Sequence, residues 1–354
     1  MNAPVIPGRD VSASKDPAWD RTKTSRLVFA LNTDSVNRFR PGFEPDSFPG
    51  VDVRWLEAGE LGGSAFGAAL CEANPEVLVT GWNSPRIPEN YLPEGECALR
   101  YICHLAGTVK TFIPRSYIEK GVRVTNWGTS ISHTVAEHAV LLVLAALRGM
   151  PQWDRYMADW PRRRSLPSLR LRGKRVGLHG FGAIAREIAA MLRPFGVTLS
   201  AYSLGVPTRI FLEQGVQPAA DLESLFSNSE VVIECEALTP ATDGVVNEKL
   251  LRLLPPDAVF VNVGRSRIVD EDALARVAVE RGLRLGLDVF NAEPPPADMP
   301  LRNVPGAILS PHIAGPTPDA FPVLWDYAMQ NIARYYAGED LQGLVTLEVY
   351  ERST

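Results

Sequence analysis

Cysteine is scarce: four in 354 residues, Cys71, Cys97, Cys103 and Cys235, with no Cys-x-x-Cys pair. That disfavours both a disulfide framework and a zinc knuckle, and all four thiols are expected to be reduced. Long apolar runs are missing as well. The most apolar stretch, 139–147, has nine residues, whereas a helix needs about 20 to cross a bilayer. The first ten residues lack the basic region and apolar stretch of a secretory leader, so a cytoplasmic location is expected. Nor is there an excess of positive charge. Lys+Arg number 36 against 41 Asp+Glu, a net charge of −5, which gives no overall field to attract nucleic acid or an anionic membrane. Histidine is rare, and His104, His133, His138 and His179 form no His-x-x-x-His or similar spacing, so no metal site is expected.

What is present is ordinary globular composition, 45% hydrophobic and 22% charged, with enough apolar mass for roughly two domains. Residues 1–25, rich in Pro, Ser, Asp and Lys, read as a loose arm. Short β-rich runs follow at 27–31, 51–56, 77–80, 101–105 and 122–125, alternating with helix-like segments such as 64–73 and 114–120. Such alternation points to a parallel α/β sheet. Residues 132–147 read as a helix that is almost wholly apolar in its second half. It belongs either between domains, in a subunit interface, or in an ordinary core. Between Pro161 and Arg175 lie seven basic residues and no acidic one. Without aromatic interleaving this is better read as a solvated linker than as a polyanion site. A second βα series then runs through strands at 175–180, 197–202, 231–235, 258–263, 284–289 and 307–309, before a helix at 319–337 with Pro322 in its first turn.

At the junction of the first strand of that series with the next helix stands Gly180-x-Gly182-x-x-Ala185. Gly180 permits a tight turn, Gly182 lets the backbone approach a pyrophosphate, and Ala185 lets helix and strand pack closely. The amides that open the helix, at Ala183 and Ile184, then face the anion. An acid at the end of the next strand normally holds the ribose hydroxyls. Here that strand ends in Tyr202-Ser203, which removes the usual reason to reject NADP without supplying a cation to favour it. Arg209 is the nearest candidate cation, or simply a surface helix residue, and the choice between NAD and NADP stays open.

Three later segments each place an ionisable group at a strand end, where an open α/β sheet binds its ligand. They are Val263-Gly264-Arg265, Asp288 to Glu293, and His312-Ile313-Ala314-Gly315. In this order behind the glycine turn, and with Val135-Ala136-Glu137-His138 and Leu238-Thr239-Pro240, the chain from about Val77 to Gly338 closely resembles the D-isomer-specific 2-hydroxyacid dehydrogenases. The resemblance implies two doubly wound parallel-sheet domains: a Rossmann-type dinucleotide domain, 129–315, inserted in a flavodoxin-like substrate domain formed by 26–128 and 316–354. It implies hydride transfer between NAD or NADP and a small 2-oxo or D-2-hydroxy acid, in a homodimer. Arg265 would hold the substrate carboxylate, His312 would be the acid/base, and Glu293 would partner the imidazole. Around the cofactor would lie Gly180, Gly182, Ala183, Ile184, Ser203, Thr134, Val263, Gly264, Ala314 and Gly315, with Asp288 on the nicotinamide side.

These residue types suit the reaction. Hydride arriving at a 2-oxo carbon leaves negative charge on the carbonyl oxygen, which needs a proton. A carboxylate beside an imidazole favours the protonated ring that can supply one, and arginine can grip a carboxylate bidentately. One departure concerns the loop expected to offer backbone N–H groups to the substrate, Gly107, Thr108 and Val109. It lacks the second glycine and the Asp usual in the family. Lys110 reads either as a contact for a second anionic group or as a solvated lysine, and Trp82 as a pocket wall or a core residue. Cys235-Glu236-Ala237 stands where relatives often carry His or Asn and Pro, and Cys235 reads as a packing residue. Formate dehydrogenases would be expected to have Gln in place of Glu293. Two rivals are a non-catalytic dinucleotide-sensing partner protein on this fold and, less well matched, a hydrolase using bound NAD as an internal oxidant.

Overall fold

Short runs such as Val77–Gly81 and Val259–Asn262, buried at every position, can only be strands covered on both faces, as parallel sheets are. In the computed structural model, which describes residues 25–39, 48, 50–59, 61–91 and 97–352, they build two such sheets. The first contains β1 (Ser25–Leu31), β2 (Val51–Glu57), β3 (Val77–Gly81), β4 (Tyr101–Leu105) and β5 (Arg123–Thr125), in the order β2-β1-β3-β4-β5. The second contains β6 (Arg175–His179), β7 (Thr198–Tyr202), β8 (Gln217–Pro218), β9 (Val231–Glu234), β10 (Val259–Asn262), β11 (Arg284–Leu287) and β12 (Ile308–Leu309), in the order β12-β11-β10-β9-β6-β7-β8. All strand pairings in both sheets are parallel. These are the flavodoxin-like and dinucleotide-binding orders, and the fold class expected from the sequence holds. In the second sheet the strand order reverses between β6 and β9. The carboxyl ends there form the crevice where such sheets take a ligand.

The helix expected at 132–147 spans Ser132–Arg148 and ends on Gly149 in the left-handed conformation. Its Val135, Ala139, Leu142, Val143 and Ala146 enter the core of the seven-stranded sheet with Val176, Leu178, Ile188 and Val261. It lies so close to β11 that a Cβ on Gly286 would stand 2.9 Å from Leu142 Cβ. The opposite edge is not covered: Leu141 is 52% exposed. The helix is therefore a core element with one free apolar edge. The basic segment after it is exposed, with Arg162 paired to Asp159 and Arg163 over the Trp160 ring, as a solvated stretch should be.

The last long helix, Phe321–Ala337, carries Pro322 near its start and returns to the first sheet. Phe321, Leu324, Trp325, Ala328 and Ile332 pack with Leu27, Phe29, Val79, Tyr101 and Cys103. Beyond it, Leu344 bridges to Thr125, and Tyr350 Oη donates to the Ile113 carbonyl at 2.9 Å. The last described residues thus rejoin the five-stranded half.

The sequence reading differs from the structure in small ways. The helix Thr33–Phe39 and the two-residue β8 were not expected. A run of seven is too short to show a helical period, and β8 is an edge strand closed by Pro218, with no alternation to read. Of the arm expected at 1–25, Ser25 already belongs to β1 and the rest lies outside the described residues. All four cysteines are unpaired. No single helix among the described residues is long and apolar enough to cross a membrane.

Trp325 is fully buried between the last helix and the first sheet, stacked 5.9 Å from Phe29. Trp325→Ala should cost about 3–5 kcal/mol through the cavity it leaves, read as an earlier urea transition for the five-stranded half.

Candidate active site

The strand ends of the second sheet bring the candidate residues together. Gly180, directly after β6, has φ +98°, and a Cβ there would lie 2.6 Å from the Glu236 amide nitrogen, so only glycine fits. Gly182 begins the helix Ala183–Leu192 with no side chain capping it, and the space where its Cβ would point is open. Uncapped amides beside open space are a ready anion cradle. The turn therefore fits a dinucleotide pyrophosphate, with Ala183 and Ile184 half-buried at the helix start and Ala185 packed into the core.

At the other end of the crevice, Arg265 follows Val263 and Gly264 after β10. Asn262 braces this loop, its side chain accepting from the Gly264 amide at 3.0 Å and donating to the Arg265 carbonyl at 3.2 Å. Burial pulls the Arg265 pKa below the usual arginine range, and the charge of Glu293 opposes that pull. The guanidinium still stays charged at any ordinary pH. His312 Nδ1 donates to Glu293 Oε2 at 2.7 Å, and Glu293 Oε1 accepts the Phe290 amide at 3.1 Å. His312 itself sits at φ +52°, the left-handed region that costs a non-glycine residue energy. Arg265, Glu293 and His312 thus gather as the sequence order suggested.

What holds His312 in that conformation is Asp288, 1% exposed at the end of β11. Its Oδ1 accepts Ser310 Oγ at 2.6 Å and the Ile313 amide at 2.9 Å, and its Oδ2 accepts the Ala314 amide at 2.8 Å. His138 on the helix Ser132–Arg148 donates to Ser310 Oγ at 2.9 Å. Burial raises the Asp288 pKa, but His138, Ser310 and the two amides outweigh it and hold the carboxyl below its ordinary range. The sequence reading put Asp288 on the nicotinamide side; its bonds to the His312 loop had no signal in the sequence. Ala314 is buried and Gly315 half-buried at the end of that loop, while Thr134 lies half-buried in the first turn of the helix bearing His138.

In the five-stranded half, residues 107–109 follow β4. Asn126 Nδ2 donates to the Gly107 carbonyl at 2.7 Å, and His104 Nε2 to the Thr108 carbonyl at 2.9 Å. In a trans peptide the carbonyl and the following N–H point opposite ways, so both anchors turn the Thr108 and Val109 amides away from them. The missing second glycine is thus offset by two side chains that fix the loop. In the neutral ring that burial favours, with Nε2 donating, His104 Nδ1 accepts from Thr80 Oγ1 at 2.8 Å. Lys110 donates to the Glu351 carbonyl at 2.6 Å, toward the C-terminal helix. Trp82, 38% exposed, stacks on Phe39 and meets Trp127 edge-on at 5.0 Å, as part of an aromatic cluster.

Around Ser203 the sequence reading missed a set of acids. Ser203 Oγ donates to Glu236 Oε2 at 2.6 Å, and Glu234 pairs with His179 across the β6 to β9 register. The readable signal was that two apolar strands both end in an ionisable residue, at His179 and Glu234. Cys235 between the acids has its pKa pushed well up by burial and by the charges of Glu234 and Glu236, an unreactive thiol.

A family model described as D-isomer specific 2-hydroxyacid dehydrogenase, NAD binding domain, matches residues 140–314. A glyoxylate/hydroxypyruvate reductase of Arabidopsis thaliana is 32% identical over 237 residues, 65% of this chain and 71% of the relative. A glyoxylate reductase of Pyrococcus furiosus is 30% identical over 283 residues, 77% of this chain and 83% of the relative. Among solved structures, a D-mandelate dehydrogenase of Rhodotorula graminis aligns with TM-score 0.77 at 20% identity, over 91% of this chain and 97% of the other, a likeness of fold.

His104 ties this loop to pH. Burial pushes its pKa down to about 4 from 6.5, opposed by the hydrogen bond to the Thr108 carbonyl. Between those values the unfolded chain binds a proton that the folded chain refuses. Stability should therefore fall as pH drops from 6.5 to 4, by about 3 kcal/mol in all. Urea midpoints across this range check it, and His104→Gln should flatten that part of the profile.

Proposed function

The chain belongs to the D-isomer-specific 2-hydroxyacid dehydrogenase family, and on that premise we propose that it reduces a small 2-oxo acid with His312 as acid/base, Glu293 as its partner and Arg265 holding the substrate carboxylate. It is an oxidoreductase that uses NAD or NADP. The observation that carries the residue assignment is the 2.7 Å bond between His312 and Glu293, in a loop clamped by Asp288 and within reach of Arg265's charge.

When bound, the nicotinamide supplies the hydride. With Nδ1–H donating to Glu293, Nε2 is the ring atom left to give a proton to the substrate oxygen in reduction or to take it in oxidation. Glu293 stabilises the imidazolium and sets the ring's orientation. Arg265, largely withdrawn from water, donates Nη1 to the Gly264 carbonyl at 2.8 Å, and its remaining N–H groups would grip the substrate carboxylate and fix which carbon faces the cofactor. The Thr108 and Val109 amides add donors for the same carboxylate. The pyrophosphate would rest on Gly182, Ala183 and Ile184, with Gly180 forming the turn beneath, and Val263, Gly264, Thr134, Ala314 and Gly315 along the rest of the cofactor. Names of relatives make glyoxylate and hydroxypyruvate the first substrates to test.

The two bodies we assign are 26–128 with 316–354 and 129–315. Opening and closing about 126–130 and 315–319 would expel water before transfer. The chain is a homodimer in this reading. Leu141, Trp153, Met157 and Trp160 lie exposed along the long helix and the segment after it, a set of apolar side chains that a second copy would cover.

His312→Ala and Arg265→Ala should each remove most 2-oxo acid turnover, about 10²-fold or more, with NAD(P)H binding retained. Glu293→Gln should lower kcat by about tenfold or more, with NAD(P)H binding retained. Initial rates with NADH and NADPH over a panel of 2-oxo acids measure this, and an active His312→Ala enzyme would refute the assignment. Sedimentation velocity should find twice the chain mass, and Trp160→Glu with Met157→Glu should halve it.

A further inference from the structure

The end of β7 carries Ser203 where dinucleotide folds that bind NAD commonly place an acid for the ribose hydroxyls. We propose that Glu236, reaching across from the end of β9, takes over that task and makes the enzyme selective for NADH over NADPH. The proposal rests on the dinucleotide reading of the Gly180 turn.

Glu236 is placed for this from two sides. Its backbone presses on the glycine turn, since a Cβ on Gly180 would come within 2.6 Å of its amide nitrogen. Its carboxylate meets the end of β7, where Oε2 accepts Ser203 Oγ at 2.6 Å. The adenosine ribose of a dinucleotide lies between these two points, the glycine turn and the end of the second strand. Ser203 and Glu236 are 6% and 8% exposed, so solvent screens the charge poorly.

The carboxylate is also held in place. Its Oε1 accepts the Ala237 amide at 2.9 Å, and the Glu236 amide donates to Glu234 Oε1 at 2.8 Å. Glu234 in turn is anchored on His179, directly opposite it in the strand register. Burial would strip His179 of its proton, but the charges of Glu234 and Glu236 outweigh that and favour the imidazolium. Two carboxylates and one imidazolium leave the cluster negative. Each carboxylate oxygen of Glu236 has a lone pair beyond the bond described and can accept a ribose hydroxyl. A 2′-phosphate would instead set its charges against Glu236. The nearest candidate cation, Arg209, is 76% exposed at its side chain and paired with Glu213 at 3.2 Å, a surface helix residue.

Isothermal titration calorimetry of NADH and NADPH on the 354-residue protein tests this without turnover. NADH should bind about 100-fold more tightly than NADPH. Glu236→Gln should bring the two within about tenfold, chiefly by strengthening NADPH. Glu236→Asp and Ser203→Ala, which keep the carboxylate, should retain the preference. Equal binding, or tighter NADPH, in the wild-type protein overturns the proposal even if Glu236→Gln does not fold. So does an unchanged ratio in a Glu236→Gln protein with native circular dichroism. Failure of both nucleotides to bind overturns the dinucleotide reading itself, and with it this assignment.

Discussion

The Asp288 carboxylate, buried at the end of β11, accepts Ser310 Oγ and the amides of Ile313 and Ala314, and so closes the loop in which His312 takes a left-handed backbone. A buried charge is tolerable only when several donors satisfy it, and here most of those donors belong to the loop it shapes. The strain at His312 is thereby offset by bonds to the end of β11, which hold the loop that presents the imidazole to Glu293. Through Ser310 the same carboxylate is tied to His138 on the helix Ser132–Arg148. The end of β11, the helix lying on the sheet and the His312 loop are thereby joined in one hydrogen-bond network.

The seven-stranded half offers two kinds of polar chemistry at its carboxyl edge. On one side of the switch point stands the positive charge of Arg265, which in the function proposed above would meet a substrate anion. On the other, Glu234 and Glu236 provide negative charge beside the glycine turn. Between them the uncapped start of the helix Ala183–Leu192 offers bare amides. Among the described residues, the five-stranded half contributes no charge of comparable burial to its candidate loop. It contributes shape, with Asn126 and His104 holding the carbonyls of Gly107 and Thr108. A carboxylate can be met either by a cation or by oriented amides, and the proposed function would use one of each, from different sheets.

Much of this was legible before any coordinates. The alternation of short β-branched runs with helical segments determined the parallel α/β class. The turn at Gly180 and Gly182, and the order of Arg265, Glu293 and His312, marked the strand ends at which the structure places these residues, because each signal lies within a few residues of chain. The resemblance supplied the roles. What only the tertiary structure decided is which distant side chains meet. Ser203 and Glu236 are 33 residues apart and His179 and Glu234 are 55, brought together by the parallel register of β6 and β9 and by the position of β7 beside them. Asn126 reaches the loop in the same way, from the end of the neighbouring strand β5, whereas His104 lies on β4 only four residues before Thr108. Local patterning encodes where a strand begins and which faces are buried. The pairing of one strand end with another depends on sheet order and register, which the whole chain settles by burying its apolar faces together.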